Sequence, residues 1–460
     1  MIKTVETINI VWIVNDLYIN NFITVYNECK NDKRFNLKIL ATTHIGLYKT
    51  DYVSSNQVYK FLINNGVDCI NSWDSREKEY IDVSSFHPDY IFTTTPYDIY
   101  LPEPYKSNNL KKICKTCNVA YGNSMIKNSG IYKDFLKNNP YYNNLWMFFT
   151  ADNDDYAKYI DCRYKSIGCL KIDEYLNYKR KPTYPWENPM SFKIVWKPRW
   201  TLDKNDSKLL DYIDKFYFYL KINTNVDFVF LFHPLLISNL KDKKYFKYFE
   251  KWIKKLNSLQ NFRIENTSNF LDCVLSADVL IASHSSTIAE FATTGKPIIY
   301  IRTKTKLNNL GKKIMDTAYQ TNNFSEIENI LNNLQKGKDP MKIDREAAKN
   351  SYFTTPPKGL TVAQFLLKTL YDDFYNLKSR KEYETKLYTL NTEEIQKLKY
   401  KNDELSKALE KNKKIEFENK KLTTQIEIKQ DQLDEVNQKY LEIINSISWK
   451  ITKPLRKFKK

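Results

Sequence analysis

Short apolar runs alternate with amphipathic stretches along most of this chain, and the alternation carries the first structural reading. INIVWIV (8–14), LKILATT (37–43), YIFTTT (90–95), NVAYG (118–122) and LWMFFTA (145–151) are near-continuous apolar runs. Such runs suit parallel strands buried on both faces. Helical patterns such as Gln57–Asn65 lie between them. The order predicts an α/β lobe with a Rossmann-like parallel sheet over residues 1–180. A polar, Pro-bearing connector, KRKPTYPWENPMS (179–191), then breaks the pattern, with 181–191 as the linker proper. The alternation restarts with FKIVW (192–196), DFVFLF (227–232), FRIEN (262–266), VLIA (279–282) and PIIYI (297–301). A second Rossmann-like lobe over 192–375 is therefore predicted, with a nucleotide-linked donor expected in the cleft between the two.

From about residue 380 the period changes to seven. Positions a run Leu398, Leu405, Asn412, Asn419, Ile426, Leu433, Tyr440 and Ile447, and positions d run from Lys401 to Ile443. Eleven of these fifteen positions are apolar, which predicts a coiled coil over 380–448. Asn412 and Asn419 at successive a positions favour a parallel homodimer in one register, with a single helix folded back on the lobes as the alternative. The last twelve residues, WKITKPLRKFKK (449–460), combine aromatic and aliphatic side chains with six cations and no acid. That mixture suits an anionic membrane surface, each cation contributing about 1 kcal/mol there. A solvated basic end is the plainer alternative.

Composition narrows the class. At 460 residues and 42% hydrophobic, with 34 Tyr and 25 Phe, core material is ample and global disorder is excluded. No run approaches the roughly 18 to 20 apolar residues of a membrane helix. The N-terminus reads as a first strand rather than a signal peptide, so the expectation is a cytoplasmic protein at the inner face of the membrane. Seven scattered cysteines suit reduced thiols, and Cys114 and Cys117 are expected to be packing groups. No acidic cluster demands a metal, and no cofactor is implied. Of the net charge of +18, six units sit in the tail and the 380–448 segment is neutral, so twelve are spread over residues 1–379. The surplus suits anionic partners without choosing among them.

The chemistry concentrates in the second lobe. SADVLIASHSSTIAEFATTGKPIIYI (276–301) runs from an apolar strand into Ser283-His284-Ser285-Ser286-Thr287, a short helix carrying Glu290, and a stop at Gly295 and Pro297. Hydroxyls and free N–H groups at a helix start make a seat for phosphate. A capping box between Thr287 and Glu290 is the purely structural alternative. Two further strand ends should share this edge, one continuing into Lys197-Pro198-Arg199-Trp200-Thr201 and the other into His233-Pro234. Arg199 suits bidentate phosphate binding, and His233 suits donation to a developing charge or movement of a proton. His87 reads as a turn residue, and His44 sits at a strand end of the first lobe.

The order of PRWT, FLFHP and SADVLIASHSSTIAEFATTGKPIIY resembles the CDP-glycerol glycerophosphotransferase family, which builds teichoic-acid-like and capsular phosphopolymers on a GT-B-type fold. HPDYIFTTTPYDIYLPEPY (87–105), NVAYG (118–122) and GCLKIDEY (168–175) resemble its acceptor-domain landmarks, so that the likeness spans about residues 8–370. The resemblance implies nucleotide and phosphate contacts at Arg199, Thr201, His233, Ser285, Ser286 and Glu290, with Glu290 accepting from ribose hydroxyls. It departs in two places. Arg199 stands where the family often has His, and Tyr121-Gly122 stands where the family has an acceptor-side His-Gly whose His is a proposed base. His44 is the substitute on that side. The implied reaction moves an alditol phosphate from CDP-glycerol to a hydroxyl of a lipid-linked surface glycan or polyol-phosphate acceptor.

Two other readings compete. A GT-B glycosyltransferase using a nucleotide sugar would show much the same Ser-Ser/Glu segment. A basic coiled-coil scaffold for nucleic acid or membrane would need no site, but no nucleic-acid motif is present and the basic surplus forms no run outside the tail.

Overall fold

A computed structural model of the chain describes residues 6–46, 52–123, 125, 139–152, 160, 162–199, 207–231, 233, 236, 240, 245–265, 270–283 and 285–445. Fifteen strands lie among them. In chain order they are β1 (Ile8–Val14), β2 (Phe35–Ala41), β3 (Ile70–Asn71), β4 (Trp73–Asp74), β5 (Glu79–Tyr80), β6 (Tyr90–Thr93), β7 (Lys115–Val119), β8 (Met147–Thr150) and β9 (Arg163–Ser166). The second series is β10 (Phe192–Lys197), β11 (Val226–Leu231), β12 (Phe262–Glu265), β13 (Val279–Ala282), β14 (Ile298–Ile301) and β15 (Tyr319–Thr321).

These strands build two open sheets. One has the order β3-β2-β1-β6-β7-β8-β9 and the other β12-β11-β10-β13-β14-β15. Every pairing in both is parallel; the small β4–β5 ribbon is antiparallel. Parallel sheets need cover on both faces, and the apolar runs supply it. Trp12 stacks on Phe92 at 4.4 Å in the first core, and Trp196 sits among Phe216, Phe228 and Phe230 in the second. In each sheet the strand order reverses once, between β1 and β6 and between β10 and β13. Those reversals are where open α/β sheets leave a crevice at their carboxyl edges.

The observed strands correct the sequence reading in a few places. NVAYG contains only the end of β7, which starts at Lys115; Tyr121 and Gly122 lie beyond it in a loop. Lys115 is buried in that strand because its ammonium pairs with Asp373 at 2.7 Å. The edge strands β9 and β15 escaped notice, since RYKS is half-exposed and β15 is three residues long.

The larger correction concerns residues 362–375, assigned by sequence to the second lobe. Val362, Ala363, Leu366, Leu367 and Leu370 of the helix Val362–Phe374 are buried in the first-lobe core with Ile8, Trp12 and Val25. Polar contacts pin both ends of this helix. At its start, Asp173 accepts the N–H groups of Val362 and Ala363 at 3.1 and 2.9 Å, and Thr361 and Gln364 form a capping box. Near its end, Asp373 accepts from Tyr90 Oη at 2.6 Å, Lys115 Nζ at 2.7 Å and Ser379 Oγ, with Arg163 at 3.4 Å.

The heptad segment is one continuous helix, Leu377–Asn445. Its heptad positions are exposed in the single chain, Leu398 at 58%, Leu405 at 64% and Ile426 at 67% among them. Residues 1–383 form one compact unit, and the helix beyond Tyr383 belongs to a second. No described helix is long and apolar enough to cross a membrane. The tail 449–460 lies outside the described residues.

Burial opposes ionisation of Asp373, but Lys115, Ser379 and Tyr90 outweigh it and hold the carboxyl below its usual range. Its contribution to stability is therefore present above about pH 4 and is lost as the pH falls through the lowered folded-state value. Asp373→Ala should lower unfolding free energy by about 3–5 kcal/mol at neutral pH, because it strands a buried lysine. Urea unfolding of the two proteins at pH 7 measures the difference.

Candidate functional site

The carboxyl edge of the second sheet gathers its chemistry from three strands. β10 ends at Lys197 and runs into Arg199, β11 leads to His233, and β13 leads to Ser283. The backbone N–H of Arg199 donates to Ser283 Oγ at 3.2 Å, which ties the ends of β10 and β13 together across the strand-order reversal. Ser283 is buried, so its hydroxyl serves this tie.

Ser285 Oγ accepts the N–H of Thr287 at 3.3 Å, and the helix Thr287–Ala292 begins there. Ser286 sits at the cap without a side-chain cap bond, and Thr287 is buried inside the first turn. The Thr287–Glu290 capping box is not formed. Glu290 is fully buried and turns instead toward the first lobe, where Lys171 Nζ meets Oε1 at 3.0 Å. Its second oxygen, Oε2, is buried and has no partner among the described residues. Thr201 and His284, both expected to contact the nucleotide, lie outside the described residues.

Lys171 reaches this point from the turn Leu170–Ile172. Its ammonium lies 5.8 Å from the Tyr18 ring and 5.1 Å from the Phe270 ring, and those rings stack at 5.5 Å. Burial pushes the Glu290 carboxyl up, while Lys171 and Lys197 pull it back. Lys197 is itself nine-tenths buried, and burial first, then Lys171, brings its ammonium down to about 8, with Glu290 opposing. His233 is pushed down to about 3 by burial, Lys197 and Arg199. Its imidazole is neutral at physiological pH. Of the two roles expected of it, this lowering favours donating a neutral N–H to a developing charge.

The first lobe presents the other wall. Gly122 lies so close to Ser286 that a Cβ on it would sit 3.4 Å from both Cβ and Oγ of that serine. Tyr121, beside it, is partly exposed with its hydroxyl 2.9 Å from that of Tyr97. His44 stacks on Tyr100 at 4.7 Å, and its Nδ1 lies 3.4 Å from the amide of buried Asn15. Asn15 in turn accepts from Thr94 Oγ1 at 2.9 Å. His44 is thus woven into the end of β1 and β6.

Four residues of this neighbourhood received no role from the sequence: Asp16, Tyr18, Lys171 and Lys197. Lys171 stood in a quoted landmark, GCLKIDEY, and a lysine within an apolar turn was the available signal. Lys197 closes a strand whose preceding residues are all apolar or half-buried, again an anomaly for a cation. Among the described residues no cluster of His, Cys, Asp or Glu could hold a metal ion.

No family model matches the sequence, and no curated protein matches it. Solved structures do match the fold. UDP-GlcNAc 2-epimerase from Neisseria meningitidis, bound to UDP-GlcNAc, aligns at TM-score 0.52 and 12% identity over 79% of this chain and 99% of that one. A UDP-N-acetylglucosamine 2-epimerase from Listeria monocytogenes aligns at TM-score 0.52 and 10% identity over 80% and 97%. The wall teichoic acid polymerase TagF aligns at TM-score 0.45 and 12% identity over 76% and 84%. With two parallel sheets of seven and six strands, the fold is a pair of Rossmann-like lobes in the GT-B arrangement.

Because Lys197 titrates near 8, an anion bound beside it should bind more weakly once the pH exceeds that value. One linked proton corresponds to up to tenfold in affinity per pH unit. Calorimetric titration with inorganic pyrophosphate from pH 7 to 9.5 should show this fall in the wild type and a flat, weaker profile in Lys197→Met.

Proposed function

We propose that this chain is an enzyme that transfers glycerol phosphate, or a related alditol phosphate, from a CDP-activated donor to a hydroxyl of a cell-surface glycan or teichoic-acid-like polymer, releasing CMP. One observation carries the reading. Lys197, Arg199 and His233 crowd one sheet edge closely enough for both cations to depress the imidazole, beside hydroxyls at the start of a helix. Such a concentration of positive charge suits an anionic ligand. A nucleoside diphosphate ester supplies that anion. The motif order PRWT, FLFHP and SSTIAEF adds the family resemblance.

In this reading the acceptor oxygen attacks the distal phosphorus, an O–P bond forms, and the P–O bond to CMP breaks. The protein contributes positioning and charge stabilisation. Arg199 and Lys197 take the charge forming on the departing CMP, and His233 donates its N–H to the same oxygens. Ser285, Ser286 and the neighbouring backbone N–H groups, with Thr201, His284 and Thr287 alongside, hold phosphate. Glu290 Oε2 accepts from a ribose hydroxyl while Oε1 stays with Lys171. Tyr121, Gly122 and His44 belong to the acceptor side.

Two attachments complete the proposal. The helix Leu377–Asn445 pairs with a second copy as a parallel coiled coil, its exposed Leu and Ile at heptad positions covered by their counterparts. The basic tail rests on an anionic membrane, keeping the enzyme near a lipid-linked acceptor.

His233→Ala and Arg199→Ala should each lower turnover more than tenfold with circular dichroism unchanged; losing one such donor costs on the order of 3 kcal/mol in the transition state. Turnover is read as nucleotide released from CDP-glycerol, CDP-ribitol and UDP-sugars. Release of UDP rather than CMP would replace this proposal with a nucleotide-sugar glycosyltransferase. Light scattering should report a dimer for the full chain and a monomer for a chain ending at residue 383; a monomer in both discards the paired helix.

A further inference from the structure

The first lobe has its own strand-order reversal, and it is built differently from that of the second. β1 and β6 lie side by side there, Ile13 opposite Thr93, and the Thr94 N–H donates to Ile13 O at 3.2 Å. Asp16 leaves the end of β1 at this crevice. Thr94 Oγ1 is committed nearby to Asn15. Asp16 as a residue is half-buried, but its Oδ1 is inaccessible to solvent and has no partner among the described residues.

It is one of a set. Tyr18 Oη and Glu290 Oε2 are likewise buried without partners among the described residues. Tyr18 links the three: both Glu290 and Asp16 raise its phenol, after burial itself. Native structures satisfy nearly all buried polar atoms, so a phenol and two carboxylate oxygens left without partners together need an explanation. Two of them are carboxylate oxygens, which only accept. What they lack are O–H donors: in the proposed reaction the ribose of the nucleotide supplies one to Glu290 Oε2, and a polyol acceptor supplies one to Asp16 Oδ1.

We infer that Asp16 is a catalytic residue that accepts the proton of the attacking acceptor hydroxyl. The inference rests on the proposed transfer reaction and supplies the base that Tyr121-Gly122, in place of a His-Gly, leaves unassigned. The acceptor O–H bond breaks and its proton passes to Asp16 Oδ1. The oxygen's electron pair forms the new bond to phosphorus, and the pair of the breaking P–O bond leaves on CMP. Asp16 gives its proton to water that enters when the products leave, before the next cycle. Burial suits the carboxyl to this task by raising it to about 7, against the opposing backbone N–H of Tyr18. A base poised near the working pH transfers protons most effectively. Tyr18 stays protonated beside it, because burial first and then nearby groups led by Glu290 raise its phenol further.

The test uses the full chain, CDP-glycerol, and two short glycerol-phosphate oligomers, one with fluorine next to its terminal hydroxyl. Asp16→Asn keeps the shape of the side chain and removes its basicity. With the ordinary acceptor its kcat should fall about 100-fold or more, the usual range for a lost general base. CMP affinity by calorimetry and the unfolding midpoint should match the wild type. Fluorine acidifies the hydroxyl and lessens the need for a base, so the deficit on that acceptor should shrink to less than tenfold. An equal loss on both acceptors overturns the assignment, as does a variant retaining a third of wild-type turnover. A wild-type protein that releases no nucleotide from any donor overturns the transfer reading itself, and the base with it.

Discussion

The contact on which the cleft depends is the ion pair between Lys171 and Glu290, 3.0 Å long and closed to solvent. One partner comes from the first lobe and the other from the second. Taking two charges out of water costs several kcal/mol per ion, and only close geometry with further contacts offsets that cost. Here the extra contacts are the faces of Tyr18 and Phe270 beside the ammonium and the pull of Lys197 on the carboxylate. Such a pair is poor at adding stability and good at specifying one arrangement. It holds the carboxyl edges of the two sheets face to face, and Gly122 lies within ordinary contact reach of Ser286.

From that registration follows the charge pattern of the site. Lys171, Lys197 and Arg199 bring positive charge to the edge where Glu290 is buried, and burial with Lys197 and Arg199 lowers the imidazole of His233. A site so arranged favours anions and disfavours carrying a proton on its imidazole. In the proposed reaction proton chemistry falls to the opposite wall, where burial acts on a carboxyl in the other direction and raises it. The same physical effect, desolvation, thus lowers the basic groups of one wall and raises the carboxyl of the other.

The helix Val362–Phe374 explains why both walls belong to one unit. It follows the second sheet in sequence yet is buried in the first core, pinned by Asp173 at its start and by the Asp373 cluster near its end. The chain therefore crosses between lobes twice. Arg180 and Trp186 of the connector add their own ties to the second lobe, through Asp272 at 2.7 Å and Ser276 at 2.9 Å.

The order of apolar runs by itself determined most of the strands, because a strand buried on both faces must be apolar throughout its length; INIVWIV and VLIA match β1 and β13 end to end. It also located the edge carrying Arg199, His233 and Ser283–Glu290, since parallel strands end together. Strands with half-exposed residues, such as RYKS, left no such mark. The lobe that receives Val362–Phe374 was illegible as well, because an apolar helix face does not state which core it enters. Nor did local pattern tell a capping Glu290 from one that reaches across to Lys171, or reveal that Asp16, Tyr18 and Lys197 are buried. Burial and partnership are properties of what lies opposite in space, and only the packing of one lobe on the other decides them.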